Sequence, residues 1–542
     1  MHKITNLRGE ALFDIPTTRR VERHAKLGLA PHTLMKRAGL AVARLAMALT
    51  PHARCIWIAC GPGDNGGDGF ETAMQLHQWG QSSGLRVVVT WTEAHGETQA
   101  NIQAGSADAQ AARNAAIAAG VQIASEPPAS FDLSIDALLG LGACYDANRP
   151  GSALMSQWLE LMHSARAPCL AIDLPTWLNA DTGVQRGQNT SKIIAEEAAN
   201  AETTARFTLS LLTLKPGLFT ADGRDLAGEV WFDDLGVLPC DELPSAWLLG
   251  QDLVSPARAG AHHASHKGSF GDVAVVGGES SSTGHMAGAA ILAARAALHA
   301  GAGRVWVSLL AAQPDEKMSA TNGMGQCQTL TVDVVQPELM FRSFDALALN
   351  QHVVVAGCGG GHAIGLVLPQ LLTHARRLVL DADALNAIAD STRLQAALIQ
   401  RSNAASMANA FSACHTVLTP HPLEAARLLG TTVQAVQANR LGCAQALAAR
   451  FQAVVVLKGS GTVITGPSEK PCINFTGNAL LATAGTGDVL AGMVGAYLAN
   501  GLPPMLAACS AVFAHGQLAD CWAARTRAPL TASMLATQQQ PR

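Results

Sequence analysis

A short loop near the carboxyl end of the chain carries the residues best suited to catalysis. Gly485, Thr486 and Gly487 precede Asp488, and residues 489–500 then form an apolar stretch without charged side chains. Glycines free the N–H groups of a turn, and a helix that starts there directs the positive end of its dipole at a bound anion. The loop therefore predicts a phosphate site beside Asp488. The structural alternative is that Asp488 only caps a helix.

A second glycine-rich segment follows a predicted buried strand, Cys55–Cys60. It holds five glycines in nine residues, together with Asp64, Asn65 and Asp68, and leads into a helical pattern at 70–79. Glycines let the backbone approach a ligand closely, and carboxylate and amide oxygens suit a hard cation. The segment lacks the usual form of the dinucleotide fingerprint G-x-G-x-x-G. It predicts a ligand-binding loop between a strand and a helix.

Three further residues in the first half of the chain lie at or near the ends of predicted strands. These are Asp136, Asp173 and Lys215. In a doubly wound α/β sheet, ligands bind beyond the carboxyl ends of the strands, which is where these side chains are expected. Each has a structural alternative, since a strand-end aspartate is often a cap and a lone lysine is usually a surface residue.

The second half repeats this arrangement. Predicted strands deliver Asp381 with Asp383, then His421, and then the turn at 458–462, which contains a lysine and two glycines. The N–H groups and the lysine of such a turn suit a nucleotide phosphate, although the turn alone is equally a plain hairpin. With the loop at Asp488 it supplies one cradle for a nucleotide and another for a transferring phosphoryl group. Phosphoryl transfer requires both.

Strand and helix patterns alternate in two long blocks that position these residues. In the first block, strands are predicted over 55–60, 86–91, 133–139, 168–173 and 206–214, and helices over 107–119 and 152–164. In the second block, strands are predicted over 272–278, 378–380, 417–420 and 454–457. Another strand begins at 353 and runs into a glycine turn at 359–361, and a helix is predicted over 288–300. We expect an α/β protein of two domains, residues 1–240 with a doubly wound sheet and residues 250–542.

Composition excludes several classes of function. The 542 residues are 49% hydrophobic and 14% charged with a net charge of −4, which leaves no basic surplus for binding nucleic acid. The charged amino terminus lacks the apolar core of a signal peptide, so a cytoplasmic protein is expected. Residues 489–519 are uncharged, but Asn500, Gly501, Pro503 and Pro504 divide them into two predicted buried helices rather than a membrane span. The sequence leaves homo-oligomerisation open.

Cysteine and histidine usage gives no metal signature. Twelve cysteines are scattered without a Cys-x-x-Cys pair, which predicts reduced, mostly buried thiols. His262, His263 and His266 have no thiol or carboxylate at ligand spacing, so a solvated linker is expected there in place of a transition-metal site.

Motifs of the first block together resemble the NAD(P)H-hydrate epimerase domain. They are the glycine segment, Asp-Ala-Leu-Leu-Gly-Leu-Gly at 136–142, Asp-Leu-Pro-Thr at 173–176 and Thr-Leu-Lys-Pro-Gly at 213–217. The resemblance spans nearly the whole block and implies a Rossmann-like fold, with Asp173 and Lys215 as a proton-transfer pair. The K⁺ ligands that it implies are Asn65, Asp136 and Thr176. The implied contacts to the hydrated nucleotide are Asp64, Asn65, Gly66, Gly67, Asp68, Gly140, Leu141, Gly142, Ala143, Cys144, Tyr145, Asp146 and Asp173.

Motifs of the second block resemble the ADP-dependent NAD(P)H-hydrate dehydratase, which has a ribokinase-like fold. They are Asp-Ala-Asp-Ala-Leu-Asn at 381–386, Thr-Pro-His-Pro-x-Glu at 419–424, the turn at 458–462 and the segment from Asn478 through Asp488. Coverage runs from about 267 to about 524. The resemblance places Ala289, Gly359, His421 and Asp488 at the hydrated nucleotide. It places Lys458, Gly459, Ser460, Gly461, Thr462 and Gly487 at the adenine nucleotide.

In this order the two resemblances match the bifunctional NAD(P)H-hydrate repair enzymes. The match implies that the first half interconverts the R and S hydrates of NADH and NADPH. It also implies that the second half dehydrates the S hydrate, with Asp488 as the base and ADP as the phosphoryl donor, releasing AMP and phosphate. The implied ions are K⁺ and Mg²⁺, and the expected partners are these small molecules, with neither nucleic acid nor a membrane.

The sequence departs from the family patterns at several positions. Asp64 replaces the usual Asn, Thr176 the usual Ser, Trp177 the usual Gly, and Cys358 the usual Pro. The ring of Trp177 is expected either to fill part of the pocket or to shift the backbone. The alternative function is a ribokinase-like small-molecule kinase with a non-catalytic N-terminal binding domain, because the same architecture and Gly-x-Gly-Asp loop serve the phosphorylation of alcohols.

Overall fold

The chain forms two compact units, each built around a large sheet. The computed structural model describes residues 1–92, 106–142, 151–185, 205–239, 241–258, 261–280, 284–311, 332–408 and 416–537. The first unit comprises Met1–Thr5 and Glu10–Ala246, and the second comprises Asn6–Gly9 and Trp247–Arg542. Both units combine a parallel-rich sheet with helices, so the predicted α/β class is confirmed. The functional boundaries at 1–240 and 250–542 remain a prediction.

The sheet of the first unit is parallel except at one edge. The strands of this part of the chain are β1 (His2–Lys3), β2 (Glu10–Leu12), β3 (Cys55–Cys60), β4 (Arg86–Trp91), β5 (Gln122–Ala124), β6 (Leu133–Ala137), β7 (Cys169–Ile172), β8 (Arg206–Leu211) and β9 (Glu229–Asp233), and all of them except β2 belong to this sheet. The order is β1-β9-β8-β7-β6-β3-β4-β5, and within it β1 pairs antiparallel with β9. The helices are Ile15–Gly28, Thr33–Leu49, Asp64–Gly80, Ala107–Ala118, Ser152–Ser164 and Gly223–Leu226, with a 3-10 turn at Pro216–Phe219.

Helices cover both faces of this sheet, and the central strand shows why. All six residues of Cys55–Cys60 are buried. Ile56 and Ile58 belong to one apolar cluster, whereas Trp57 and Ala59 belong to another. Successive side chains of a strand point to opposite faces, so a strand that is apolar at every position requires cover on both.

The sheet of the second unit is longer and carries antiparallel strands near one end. Its strands are β10 (Ala246–Leu248), β11 (Asp272–Ser280), β12 (Arg304–Ala311), β13 (Met340–Phe341), β14 (Val353–Ala356), β15 (Arg377–Leu380), β16 (Thr416–Leu418), β17 (Val454–Leu457), β18 (Thr462–Thr465) and β19 (Cys472–Asn474). Within this unit the order is β13-β12-β11-β14-β15-β16-β17-β18-β19-β10. Strand β18 runs antiparallel to both of its neighbours.

The helices of the second unit pack on its sheet. They are Ala287–His299, Ala363–His374, Asp383–Ala389, Thr392–Ala408, Pro422–Leu429, Val433–Ala438, Arg440–Phe451, Thr486–Ala499, Pro504–Arg525 and Ala532–Thr537. Short 3-10 turns lie at Gln251–Leu253, Lys267–Phe270, Phe344–Ala346 and Ala479–Leu481. The apolar stretch 489–519 falls into Thr486–Ala499 and Pro504–Arg525, as predicted. None of the described helices has both the length and the apolar character that a membrane crossing requires.

Several predicted strands end earlier than expected. Those over 133–139, 168–173 and 206–214 stop at Ala137, Ile172 and Leu211. Left-handed backbone follows two of them immediately, with φ of 65° at Asp173 and 67° at Leu212. Such a conformation turns the chain out of the sheet, so the residues that follow belong to loops at its edge.

Candidate active sites at two sheet edges

Neighbouring strands of the first sheet deliver the predicted epimerase residues to one edge. In the order β8, β7, β6 and β3, the strands lead to Lys215, Asp173, the segment 138–142 and the segment 61–68. A cavity of about 440 Å³ lies at this edge. It is lined by Gly63, Asp64, Asn65, Asp68, Gly140, Leu141, Gly142, Asp173 and Lys215, among others. The structure therefore brings these predicted residues together, whereas Ala143, Cys144, Tyr145 and Asp146 lie outside the described residues.

The glycine-rich segment is not an extended loop. The helix Asp64–Gly80 begins directly after Gly63, so the expected start near residue 70 is wrong. A Cβ atom on Gly66 would lie 2.0 Å from the carbonyl oxygen of Gly61, and one on Gly67 would lie 2.7 Å from the side chain of Met35. Gly63 has open space on its Cβ side. Most of these glycines are thus required by close packing of the helix rather than by a ligand.

Asp173 and Lys215 form a buried ion pair at the cavity wall. The ammonium of Lys215 donates to Oδ1 of Asp173 and also to the carbonyl of Leu211, at 2.7 Å. The lysine side chain is only 1% exposed, so the surface alternative is excluded. Oδ1 of Asp173 also accepts the N–H of Leu211 at 3.0 Å. Burial, followed by repulsion from the Asp173 carboxylate, raises the pKa of the nearby Asp68 well above its usual value.

Asp136 and Thr176 are bonded directly to each other. Oδ1 of Asp136 accepts the Thr176 hydroxyl at 2.7 Å, and Oδ2 accepts the Thr176 N–H at 2.9 Å. Asp136 is 2% exposed, and burial raises its pKa. Asn65 is also buried, and no hydrogen-bond partner of its Nδ2 lies among the described residues. A Cβ on Gly140 would lie 3.2 Å from Oδ1 of Asn65, so this amide faces the loop after β6.

The ring of Trp177 does not line the cavity. Its side chain is 5% exposed and belongs to an apolar cluster with Trp57, Leu138, Met155 and Trp158. The backbone at Trp177 is left-handed, with φ of 72°. This conformation costs an L-residue about 1–2 kcal/mol and costs glycine little. Of the two expectations, the filled pocket is wrong, and the substitution instead places a strained residue in the core.

Neighbouring strands of the second sheet deliver the predicted dehydratase residues in the same manner. In the order β14, β15, β16 and β17, they lead to Gly359, Asp381, His421 and Lys458. The helix Thr486–Ala499 packs against β14, β15 and β11 and carries Asp488 in its first turn. Close packing requires glycine on this helix, because a Cβ on Gly492 would lie 2.0 Å from a carbonyl oxygen of the helix Ala287–His299.

Lys458 is held at this edge by Asp381, which the sequence placed at a strand end without assigning it a role. Its ammonium lies 2.6 Å from Oδ1 of Asp381, which also accepts the Thr419 hydroxyl at 2.8 Å. Asp381 is only 1% exposed. Gly487 lies beside the pair, since a Cβ there would be 3.3 Å from Nζ of Lys458. The motif Asp-Ala-Asp at 381–383 was the sequence signal for this residue.

Asp488 lies close to Asp381 and to a thiol. The Sγ atom of Cys358 and a carboxylate oxygen from each of the two aspartates lie within 4.8 Å of one another. Burial and then repulsion from Asp381 raise the pKa of Asp488 to about 7, against the lowering effects of Cys358 and Lys458. Cys358, which departs from the family pattern, is distant from this loop in sequence, yet the two are neighbours in space.

The remaining dehydratase residues surround this group. His421 caps the helix Pro422–Leu429, and its Nδ1 accepts the N–H of Leu423 at 3.1 Å. Burial raises the pKa of Glu424, which accepts the His421 N–H, to about 7. Ala289 and Gly359 are adjacent, because a Cβ on Gly359 would lie 2.9 Å from that of Ala289.

The turn at 458–462 joins the antiparallel strands β17 and β18 and is therefore a hairpin turn. Its backbone is left-handed at Gly459 and Gly461, with φ of 132° and 62°. Arg440, which the sequence did not single out, supports the turn from inside the protein. It is 1% exposed, and its guanidinium donates to the carbonyls of Leu457 and Lys458 at 3.1 Å each. Ser460 and Thr462 lie on the same turn as Gly459 and Gly461.

Most of the described cysteines are buried, and the histidine cluster lies at the surface. The described cysteines are free thiols. His262 and His263 are exposed, and Nδ1 of His266 accepts the N–H of Gly268 at 3.1 Å.

Comparison with known proteins identifies the family. Residues 31–217 match the family model described as YjeF-related protein N-terminus, and residues 273–541 match that described as NAD(P)H-hydrate dehydratase. The bifunctional NAD(P)H-hydrate repair enzyme Nnr of Escherichia coli (strain K12) is 34% identical over 544 residues, which cover 96% of this chain and 92% of its own. The chain belongs to the family of bifunctional NAD(P)H-hydrate repair enzymes. Both domains of this family are present, so the predicted family is confirmed and the kinase alternative is not favoured.

Other relatives agree with this membership in the repair-enzyme family. The ADP-dependent (S)-NAD(P)H-hydrate dehydratase of Neisseria meningitidis serogroup B is 41% identical over 286 residues, covering 51% of this chain and 85% of its own. A solved structure of ADP/ATP-dependent NAD(P)H-hydrate dehydratase from Bacillus subtilis, co-crystallised with ATP and Mg²⁺, covers 52% of this chain and 92% of its own. Its identity is 28% and its TM-score 0.39.

Proposed function

We propose that this repair enzyme acts on hydrated NADH and NADPH at two separate sites. Its first unit epimerises the R and S hydrates, and its second dehydrates the S hydrate at the expense of ADP. The observation that carries the second activity is the meeting of Asp488 with Asp381 and its partner Lys458 at one sheet edge. A carboxylate there can accept a proton while a lysine faces the phosphate groups, which is the pairing that phosphoryl transfer from ADP to an alcohol needs.

In the proposed dehydration, Asp488 removes the proton from the ring hydroxyl of the hydrate. Its pKa of about 7 suits a general base at neutral pH. The hydroxyl oxygen forms a bond to the outer phosphorus of ADP, and the bond from that phosphorus to AMP breaks. The carbon–oxygen bond of the new phosphate ester then breaks, phosphate departs with the electron pair, and a proton leaves the neighbouring ring carbon. The double bond is restored because phosphate is a far better leaving group than hydroxide.

The surrounding groups stabilise the charge on the transferring phosphoryl group. Lys458 and the N–H groups of the turn that contains Gly459, Gly461 and Thr462 are proposed to bind the adenine nucleotide. Gly487 leaves room beside Lys458 for a phosphate oxygen, since a Cβ would occupy the space 3.3 Å from Nζ. Mg²⁺ is expected to accompany the diphosphate and would neutralise part of its charge.

In the proposed epimerisation, Asp173 and Lys215 transfer protons at the hydroxyl-bearing end of the hydrate. The pair lies at the wall of the cavity of about 440 Å³, and the lysine is buried. An ammonium that already contacts a carboxylate can pass a proton to a substrate oxygen and recover it through the same partner. The same cavity is lined by Gly63, Asp64, Asn65 and Asp68 and by residues 140–142, which are proposed to bind the nucleotide.

A K⁺ ion is proposed at Asn65, Asp136 and Thr176. The residues fit this ion, since they offer a carboxylate, a hydroxyl and an amide oxygen in a buried position. The amide nitrogen of Asn65 has no partner among the described residues, and rotating the amide by half a turn would place its oxygen there instead. A cation would stabilise the ionised form of Asp136, whose pKa burial raises. Epimerisation should accordingly increase with K⁺ and not with Na⁺, and Asp136→Asn should abolish this dependence.

One incubation tests both proposed activities. The full-length protein is mixed with both hydrate epimers, ADP, Mg²⁺ and K⁺, and the reduced-nicotinamide absorbance, AMP and free phosphate are measured. We expect all of the hydrate to be converted, with AMP and phosphate formed in equal amounts. A stable phosphorylated product would contradict dehydration, and conversion that stops when the S epimer is consumed would contradict epimerisation.

A further inference from the structure

Cys358 lies where the backbone fixes its side chain against the carboxylate of Asp488. It follows β14, and its carbonyl oxygen accepts the N–H of Gly278 on the neighbouring strand at 3.0 Å. The side chain has no exposed surface, and its Sγ lies within 4.8 Å of carboxylate oxygens of both Asp381 and Asp488. The backbone at Cys358 is therefore tied to the sheet, and its thiol is enclosed by protein beside the two carboxylates.

The thiol keeps its proton in this position. Burial and then the charges of Asp488 and Asp381 raise the pKa of Cys358 well above 9.0. A protonated thiol is neither a nucleophile nor a metal ligand, but it can donate a weak hydrogen bond. Lys458, the nearby cation, is already engaged with Oδ1 of Asp381 at 2.6 Å.

The carboxylate of Asp488 requires a hydrogen-bond donor. Among the described residues, no N–H or O–H group donates a hydrogen bond to its carboxylate, although Thr419 and Lys458 both donate to Asp381. Two like charges at short range repel each other, so the Asp488 carboxylate requires a group that stabilises and orients it. The thiol of Cys358 lies within reach of that carboxylate.

We propose that Cys358 is a positioning residue for dehydration, whose S–H group donates to the Asp488 carboxylate and orients it towards the substrate hydroxyl. This inference rests on the proposed role of Asp488 as the base. Loss of the thiol would leave the carboxylate beside Asp381 with less stabilisation. Asp488 would then ionise at a higher pH and would be less well oriented.

Other charged groups near Asp488 have to be held constant in any test. Asp381, Asp383 and Lys458 face it from the sheet edge. His515 packs on the same helix turn, where its Nε2 lies 3.0 Å from the Thr486 carbonyl, and burial lowers its pKa to about 4. His515 is thus neutral across the range in which Asp488 titrates.

The test compares Cys358→Ala and Cys358→Ser in the full-length protein, with Cys509→Ala as a matched control. Cys509 is also buried but lies in the apolar core of this unit. The rate of dehydration of pure S hydrate is measured from pH 5.5 to 9 at saturating ADP. We expect Cys358→Ala to move the acidic limb of the kcat profile up by about half to one pH unit, which lowers kcat roughly three- to tenfold at pH 6. Cys358→Ser should return the acidic limb of the kcat profile to its wild-type position. The KM for ADP should stay unchanged in both variants.

A spectroscopic measurement separates this inference from the proposed function. The S–H stretching band of Cys358, isolated as the infrared difference between wild type and Cys358→Ser, should move to higher frequency in Asp488→Asn. An unmoved band would overturn the hydrogen bond even if dehydration occurs. An unshifted acidic limb in Cys358→Ala, or an equal loss of kcat at every pH without recovery in Cys358→Ser, would overturn the positioning role. Failure of the wild type to dehydrate the S hydrate, with the band shift present, would instead overturn the proposed function.

Discussion

The substitution Asp488→Asn should remove dehydration and at the same time stabilise the protein in a pH-dependent manner. Burial and repulsion from Asp381 raise the pKa of this carboxyl from 3.8 to about 7. Between these values the folded protein retains a proton that the unfolded chain releases, so the free energy of unfolding decreases as the pH rises from about 4 to about 7. Asparagine carries no charge at any pH. The variant should therefore be more stable than wild type above pH 7 and equally stable near pH 4.

The magnitude follows from the pKa difference. About three pH units at 1.36 kcal/mol per unit correspond to roughly 4 kcal/mol. Asp488 remains partly exposed and lies near Lys458, so we expect about half of this, roughly 2 kcal/mol, at pH 8. That free energy corresponds to a rise in Tm of about 3 °C for a unit of about 300 residues, since the entropy of unfolding is about 2.1 cal/mol/K per residue. Loss of a general base should lower kcat for dehydration by about two to four powers of ten.

Calorimetric Tm values of wild type and variant between pH 4.5 and 8.5 test the predicted stabilisation. Recovery of reduced-nicotinamide absorbance tests the predicted loss of dehydration. Asp390→Asn, at an exposed helix end, serves as the matched control and should change neither quantity. A Tm difference that is the same at pH 5 and at pH 8 would refute the reasoning from burial. Turnover within tenfold of wild type, with AMP and phosphate still formed, would show that the base lies elsewhere.

Further substitutions test the other assignments. Lys215→Ala should lower epimerisation at least a hundredfold without affecting dehydration of pure S hydrate, and a parallel loss of both in a folded variant would contradict two independent sites. Trp177→Ala should lower the free energy of unfolding, measured with urea, by about 3 kcal/mol, since the lost packing outweighs the relieved backbone strain. The rate of epimerisation should change less than twofold, and a larger loss would place the ring at the cavity. Arg440→Lys should raise the KM for ADP about tenfold, because one ammonium cannot replace both Nη2, which donates to the carbonyls of Leu457 and Lys458, and Nη1, which donates to the side chain of Gln437. An unchanged KM would show that the turn does not depend on this support.

The predicted positions of the buried strands agree with the structure where apolar residues run without interruption. Cys55–Cys60 and Val454–Leu457 match residue by residue. Predictions were wrong where the chain leaves the sheet, because a positive φ at Asp173 or Leu212 is set by tertiary contacts that periodicity does not register. The helix start at Asp64 was missed for a similar reason. Its glycines indicated a loop locally, whereas their packing against Gly61 and Met35 permits a helix.

The sequence by itself determined the alternation of strands and helices, and with it the sheet edges at which Asp173, Lys215 and Lys458 would be delivered. Residue type and local spacing suffice for that, because the carboxyl ends of parallel strands meet at one side of a sheet. Only the tertiary structure decided which groups surround them. Three such contacts join segments that are distant in the chain. The thiol of Cys358 lies beside Asp488, the guanidinium of Arg440 supports the turn at 458–462, and the ring of Trp177 packs in the core. Their burial and electrostatics depend on the packed interior and have no local signature in the sequence.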